Sequence, residues 1–381
     1  MYTRIFRPDT QSSYFLFGAR GTGKSSWLKS NYINSNFIDL LDDESYNLLS
    51  AQPKEISRFI VNEEWPVIID EVQKIPHLLE EVHRLIELKK YRFVLTGSSA
   101  RKLRKAGVNL LAGRAYTYHF HPMTSVEMKG DFDLKKALMF GLLPMATQAM
   151  DPHKYLQSYI RTYLKEEVQL EGLTRNLPAF SRFLQAASFS QASPLNISKV
   201  AGDCAVERKT VEDYFSILRD LLISFELPVF SKRAKREVIA KNKFFFFDAG
   251  VYRGIRPRGP LDSESEIHGF ALETLVMQNV RALNDLCEWN YELFFWHTRK
   301  HQEVDLILYG PNRFIAVEVK PSSRLRKEDF ESLLLFKEDY PMAETIFIYG
   351  GSEEKLVHGI RVLPAQLFFS NILKILNPQK T

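Results

Sequence analysis

The sequence predicts an α/β protein of several domains, opening with a parallel sheet that carries helices on its faces. Three observations predict it. An apolar run, Tyr14-Phe15-Leu16-Phe17, leads into Gly18-Ala19-Arg20-Gly21-Thr22-Gly23-Lys24-Ser25 and then into a helical segment. A second run, Pro66-Val67-Ile68-Ile69, is apolar at consecutive positions, as a strand buried on both faces must be, and stops at Asp70-Glu71. In the last third, Ile315-Ala316-Val317-Glu318-Val319-Lys320 carries two charges two residues apart, which a strand presents on one face.

The first stretch is a phosphate-binding loop. Gly18, Gly21 and Gly23 let the backbone turn tightly and aim N–H groups at phosphates, Lys24 reaches the β and γ phosphates, and Ser25 offers an oxygen to Mg²⁺. Thr22 and Ser26 complete the nucleotide contacts expected there. A short helix follows over 25–32 and a strand at Phe37-Ile38-Asp39-Leu40. At the carboxyl end of the second apolar run, Asp70 holds Mg²⁺ directly or through water and Glu71 polarises the attacking water. The two stretches look like a Walker A and Walker B pair, so ATP and Mg²⁺ are the expected cofactors.

An amphipathic helix (Leu78, Leu79, Val82, Leu85, Ile86) precedes a further strand over 91–96, which runs into Gly97-Ser98-Ser99. Here the chain resembles the AAA-type (AAA+) ATPases, in which a polar residue at the end of this strand senses the γ phosphate. The resemblance makes Thr96 and Ser98 the candidates, with Ser98 slightly preferred; a hydroxyl that only caps the next helix is the competing reading. In Leu111-Ala112-Gly113-Arg114, ahead of a short strand over 115–120, the resemblance makes Arg114 the finger that enters a neighbouring subunit's site. A surface arginine at a helix end is the other reading. The finger implies a homo-oligomer, a ring such as a hexamer.

At 381 residues the chain exceeds what one hydrophobic core serves. With 45% hydrophobic and 25% charged residues it is neither disordered nor fibrous, and its 28 Phe are spread as core residues. A net charge of +5 permits a polyanionic partner without requiring one, so the runs 232–236, 253–258 and 324–327 matter more than the total. Cys204 and Cys287 have neither disulfide-framework nor zinc-ligand spacing. The start of the chain lacks a leader's apolar core and no run of about 18 apolar residues occurs, so a cytoplasmic protein without membrane contact is expected.

From Ser125 to Gly172 helical spacing (Leu134, Ala137, Leu138, then Tyr155, Tyr159, Tyr163, Leu164) predicts a small lid, with Arg161 as a phosphate-reading guess. Between Pro178 and Phe230 the order helix, turn, helix, then strands, with Arg208-Lys209 opening the last helix, predicts a winged-helix module with the run 232–236 in its wing. That module grips DNA or only packs against a neighbour.

The strand Phe244-Phe245-Phe246-Phe247 then closes the middle region. In the last third, Glu273 on a helix, Asp305 in a strand and Glu318 would bind a divalent metal, and Lys320 would position or deprotonate water. This spacing resembles the restriction-endonuclease-like PD-(D/E)xK fold, either active or decayed to a binding core.

Nearly the whole chain resembles a bacterial and archaeal family of AAA-type ATPases with such a C-terminal domain. The expected domains are an ATPase core over 1–124, a lid over 125–175, a winged helix over 176–240 and a nuclease-like α/β domain over 241–381. Two functions remain open: ATP hydrolysis coupled to DNA binding, remodelling or cleavage, with DNA as partner, and an ATP-regulated scaffold with an inactive nuclease core.

Overall fold

The structure is a computed structural model that describes residues 2–99, 103, 111, 113–163, 168 and 176–377. The chain divides into two compact units, one of Arg4–Pro122 with Ile217–Ile223, the other of Met1–Thr3, Met123–Ser216 and Ser224–Thr381.

In the first unit, the unbroken apolar runs become strands β1 (Ser13–Phe17), β3 (Val67–Asp70) and β4 (Phe93–Gly97), buried along their whole length. With β2 (Asn36–Asp39) and β5 (Ala115–His119) they form a parallel sheet whose order, among the described residues, is β2-β3-β4-β1-β5. Strand β5 lies at the edge and is partly exposed, so it can carry Tyr116 and His119 where the inner strands carry only apolar or hydrogen-bonded side chains. The helix Leu78–Lys89 turns Leu78, Leu79, Val82 and Leu85 into a core that also holds Phe15, Ile38, Val67, Ile69 and Leu95. The parallel registers Phe17↔Gly97 and Ile69↔Leu95 bring the carboxyl ends of β1, β3 and β4 to one edge of the sheet. Every polar residue discussed for that end issues from one of these strand ends.

In the second unit, a one-turn helix Ser125–Met128 leads to the short helices Leu134–Phe140, Pro144–Gln148 and Pro152–Ser158, the last running into a π turn at Tyr159–Tyr163. Leu164 and Ala112 of the sequence patterns lie outside the described residues. The helices Leu177–Ser188 and Ile197–Cys204 follow, capped by Asn176 and Asn196, and then Arg208–Asp220, whose residues up to Ser216 belong to this unit. Strands β6 (Ser193–Pro194), β7 (Ser224–Leu227) and β8 (Lys243–Phe246) form an antiparallel sheet of order β6-β8-β7.

The connection from β7 to β8 runs along strand β9 (Glu292–His297), exchanging backbone hydrogen bonds through Pro228, Phe230, Phe295, Ile239 and His297. Two residues of the basic run at 232–236, expected in the wing, are engaged there. Lys232 pairs with Glu292 at 2.6 Å and lies 4.2 Å from the Tyr309 ring centre, and Arg236 pairs with Asp339 at 2.9 Å.

Strand β9 opens the C-terminal sheet, with β10 (Glu303–Tyr309), β11 (Phe314–Lys320), β12 (Glu344–Tyr349), β13 (Lys355–Val357) and β14 (Ile360–Pro364). Among the described residues its order is β13-β14-β12-β11-β10-β9, with β11, β12 and β14 parallel and the other pairs antiparallel. The helix Glu264–Leu286 is buried on all sides over most of its middle, from Ala271 to Leu283, as its apolar content demands.

Candidate functional site

The loop after β1 has the geometry its glycines suggest, though each glycine serves differently. Gly21 (φ 83°) and Gly23 (φ 94°) lie in the left-handed region that favours glycine. Gly18 instead makes a close approach: a Cβ there would stand 2.3 Å from the Phe120 carbonyl oxygen, and its N–H donates to Gly97 O at 3.3 Å. Thr22 is buried and donates to Ala19 O at 2.8 Å, which folds the loop back on itself. Lys24 opens the helix Lys24–Asn31, is buried, and donates from Nζ to Gly18 O (2.6 Å) and Ala19 O (3.3 Å). Ser25 is half-buried and Ser26 exposed in the first turn of that helix.

Asp70 ends β3 and is buried, its Oδ1 accepting from Thr96 Oγ1 on β4. The next residue, Glu71, takes a left-handed backbone conformation (φ 60°), a strained position for a non-glycine residue, and its N–H donates to Thr96 Oγ1 at 3.2 Å. Thr96 thus ties the two acidic residues together. Gln73 is the residue that sequence reasoning missed. It sits in the short turn Val72–Lys74, is buried, and donates from Nε2 both to Glu71 Oε2 and to Ser98 Oγ, the latter at 3.1 Å. The side chain fits because residue 97 is glycine; a Cβ there would meet Gln73 Oε1 at 2.5 Å. Of the two sensor candidates, Thr96 touches Asp70 and the Glu71 backbone, and Ser98 is linked to Glu71 through Gln73. Arg114 pairs with Glu87 in its own unit, both partly exposed.

Hard oxygen donors suit Mg²⁺, and the Ser25 hydroxyl and the Asp70 carboxylate are of that kind.

Residues 10–129 match a family model described as an AAA domain. The first unit carries an AAA domain. At family level that match suggests ATP hydrolysis, nucleotide binding and the usual use of Mg²⁺, and the five-stranded parallel sheet is consistent with a P-loop AAA fold. Beyond the AAA domain, residues 131–261 match "Domain of unknown function (DUF8612)" and residues 268–368 match "Domain of unknown function (DUF4143)". No curated protein matches the chain. Among solved structures, the crystal structure of protein VC1899 from Vibrio cholerae is similar over 97% of each chain at 13% identity, with a TM-score of 0.23. No helix among the described residues is long and apolar enough to cross a membrane.

The second constellation differs from its expected form. Asp305 and Glu318 do come together, since the register Leu306↔Val317 makes them cross-strand neighbours and a bulge in β10 lies between Val304 and Ile307. Glu273 also reaches in from its helix. At the centre, however, stands Lys243, fully buried at the start of β8. Its Nζ lies 2.6 Å from Glu273 Oε1, 2.6 Å from Glu303 Oε1 and 2.9 Å from Asp305 Oδ1. Asp305 Oδ2 accepts from Val319 N at 2.9 Å, and Lys320 Nζ pairs with Glu318 Oε1 at 2.8 Å. The carboxylates expected to hold a metal hold ammonium groups, and among the described residues no cluster of three His, Cys, Asp or Glu has metal-holding geometry. The donor set as arranged does not fit the divalent ion.

The cluster balances its charge with protons. Burial alone would strip the proton from Lys243, but Asp305, Glu273 and Glu303 outweigh it and hold the amine well above the ordinary lysine range. Burial, then Asp305, pushes the Glu273 carboxyl well above the carboxylate range, against the pull of Lys243. Burial, again with Asp305 beside it, brings Glu318 up to about 8. Burial also works to raise Glu303, but Lys243 and His297 prevail and bring it down to about 2. Lys320 is raised above the lysine range: burial works against this, but Glu318 and Asp305 prevail. Held as ammonium, Lys320 suits the positioning of water, one of the two roles expected for it, better than its deprotonation.

Proposed function

We propose that the chain is an oligomeric, Mg²⁺-dependent ATP hydrolase whose second unit is the part that ATP turnover regulates. The observation that carries the reading is the relay at the carboxyl end of the parallel sheet, where Thr96 links Asp70 to the Glu71 backbone and Gln73 links Glu71 to Ser98. In this reading the loop N–H groups and Lys24 bind the β and γ phosphates. Mg²⁺ held by Ser25 and Asp70 would supply neutralising charge to the phosphates. Glu71 orients and polarises the water for in-line attack, and Gln73 is a positioning residue that fixes the Glu71 carboxylate. Arg114, carried beside the edge strand β5, completes a neighbouring subunit's site in a ring.

For the second unit, the helices 177–188, 197–204 and 208–220 with the β6-β8-β7 sheet support a winged-helix reading, and the mixed sheet with Asp305, Glu318 and Lys320 supports a restriction-endonuclease-like one. Lys243 favours the scaffold alternative over DNA cleavage, because an ammonium already neutralises the acids that a nuclease gives to its metal. DNA binding without cleavage, through the remaining basic surface, stays part of the proposal.

ATP turnover with and without duplex DNA tests it. Lys24→Ala is expected to lose nucleotide binding, and Glu71→Gln to bind ATP while turning over about a hundredfold more slowly. A Glu71→Gln protein that hydrolyses at the parent rate would overturn the assignment of the water-polarising role. A turnover rate indifferent to DNA would leave the scaffold reading. Mg²⁺-dependent nicking that is lost in Asp305→Ala would restore the nuclease reading.

A further inference from the structure

The second unit also holds a cavity that neither its acid cluster nor its sheet explains. It measures about 210 Å³ and is lined by Arg253, Arg256 and Arg258, with Phe140, Leu156 and His153 on the facing helices. Close packing builds it. Gly250 lets the helix Ala249–Ile255 approach Leu134–Phe140, since a Cβ there would stand 2.1 Å from Phe140 O, and Gly254 faces Ile160, whose Cδ1 a Cβ would meet at 2.4 Å. Asp248 caps the helix, accepting from the N–H groups of Gly250, Val251 and Leu142.

The arginines are held in place but only partly satisfied. Arg253 is 4% exposed; one nitrogen pairs with Glu264, and among the described residues its Nε and Nη1 have no hydrogen-bond partner. Arg256 is 7% exposed, lies 3.6 Å above the Phe189 ring and 3.1 Å from Asp262 Oδ1, and its Nη1 makes no hydrogen bond of good geometry. Arg258 donates to Arg253 O at 3.1 Å, which draws a third guanidinium to the same place. The two acids Asp262 and Glu264 offset two of the three positive charges, so the group keeps one net positive charge. Buried N–H donors without acceptors are costly, more so on charged groups, so the arrangement asks for an acceptor. A guanidinium fork matches an oxyanion in plane, and several forks together match the several oxygens of a phosphate better than the two of a carboxylate.

We propose that this cavity binds a phosphate oxyanion, supplied by free phosphate or by a small phosphomonoester. At about 210 Å³ it is smaller than the roughly 300 Å³ at which drug-sized sites begin, so the phosphate group and a few further atoms fill it. The bound anion orders the segment 253–264 through Arg253 and Arg256 and so links the helices 134–140 and 152–158 to the start of the long helix at Glu264.

The test is calorimetric titration of inorganic phosphate, and separately of glycerol phosphate, into the full chain carrying Lys24→Ala, so that the phosphate loop does not contribute. One site with a Kd below about 1 mM is expected. Arg258→Gln, exposed and so tolerated by the fold, and Arg253→Lys, which keeps a charge beside Glu264 but loses the fork, should each weaken binding by about tenfold or more. Tighter binding of glycerol phosphate would identify the phosphomonoester as the source, and tighter binding of inorganic phosphate the free ion. Equal heats with acetate, unchanged affinity in both folded variants, or no site up to about 20 mM would overturn the proposal.

Discussion

Glu71 shows how one side chain is positioned by neighbours that are far apart in sequence. Its left-handed backbone is fixed by a hydrogen bond to Thr96, and its carboxylate is held by Gln73, itself anchored on Ser98. Under the proposed role of Glu71, Gln73→Ala is expected to lower kcat by about tenfold while leaving KM for ATP near its parent value, because it loosens the group proposed to polarise the water. Steady-state kinetics decide it; a loss confined to KM would show that Gln73 acts in binding. Lys243 is the matching case in the second unit. Replacing it by Met removes one ammonium from Glu273, Glu303 and Asp305, and leaving buried acids unpaired costs about 3–5 kcal/mol. Lys243→Met should unfold the second unit at lower denaturant, read by fluorescence of Trp289 and Trp296, and a double change with Glu273→Gln should recover part of the loss.

Strands β10 and β11 carry a pH dependence with a definite sign. Glu318 is raised to about 8 in the folded chain, so between the ordinary carboxyl range and about 8 the folded state binds more protons than the unfolded state. Stability from this group is thus present at low pH and is lost as pH rises through about 8. Glu303, lowered to about 2, works the other way: its contribution is full above the unfolded carboxyl range and is lost as pH falls toward about 2. Thermal unfolding followed from acid to pH 9 should show a decline on the alkaline side, and Glu318→Gln should flatten that decline while leaving the acid side unchanged. An unchanged alkaline slope in Glu318→Gln would show that Glu318 titrates normally. In the first unit, the helix Lys24–Asn31 begins and strand β3 ends at the carboxyl edge of the sheet, where Lys24 and Asp70 lie buried.

At the scale of the molecule, the proposed ring predicts that sites are shared. Mixing Lys24→Ala chains, whose own site is dead, with Arg114→Ala chains, which offer no finger, should recover turnover above either variant alone. Each mixed interface of one orientation pairs an intact loop with an intact arginine. Separate additive rates on mixing would show that Arg114 serves its own subunit through Glu87.

The local patterns were legible in the chain. Consecutive apolar residues required buried parallel strands, and Gly21 and Gly23 required a turn with positive φ, because both follow from sterics and hydration acting over a few residues. Lys243 was written in the sequence too, as the lysine directly before the run Phe244-Phe245-Phe246-Phe247, but nothing local says what a charge at that position faces. Only the tertiary structure decided that it faces Glu273, Glu303 and Asp305, that Gln73 bridges Glu71 and Ser98, and that two of the arginines after Asp248 are buried. Periodicity tells which face a side chain occupies, whereas the partner of a buried charge comes from another element brought beside it by packing, and the energy of that pairing does not depend on separation along the chain.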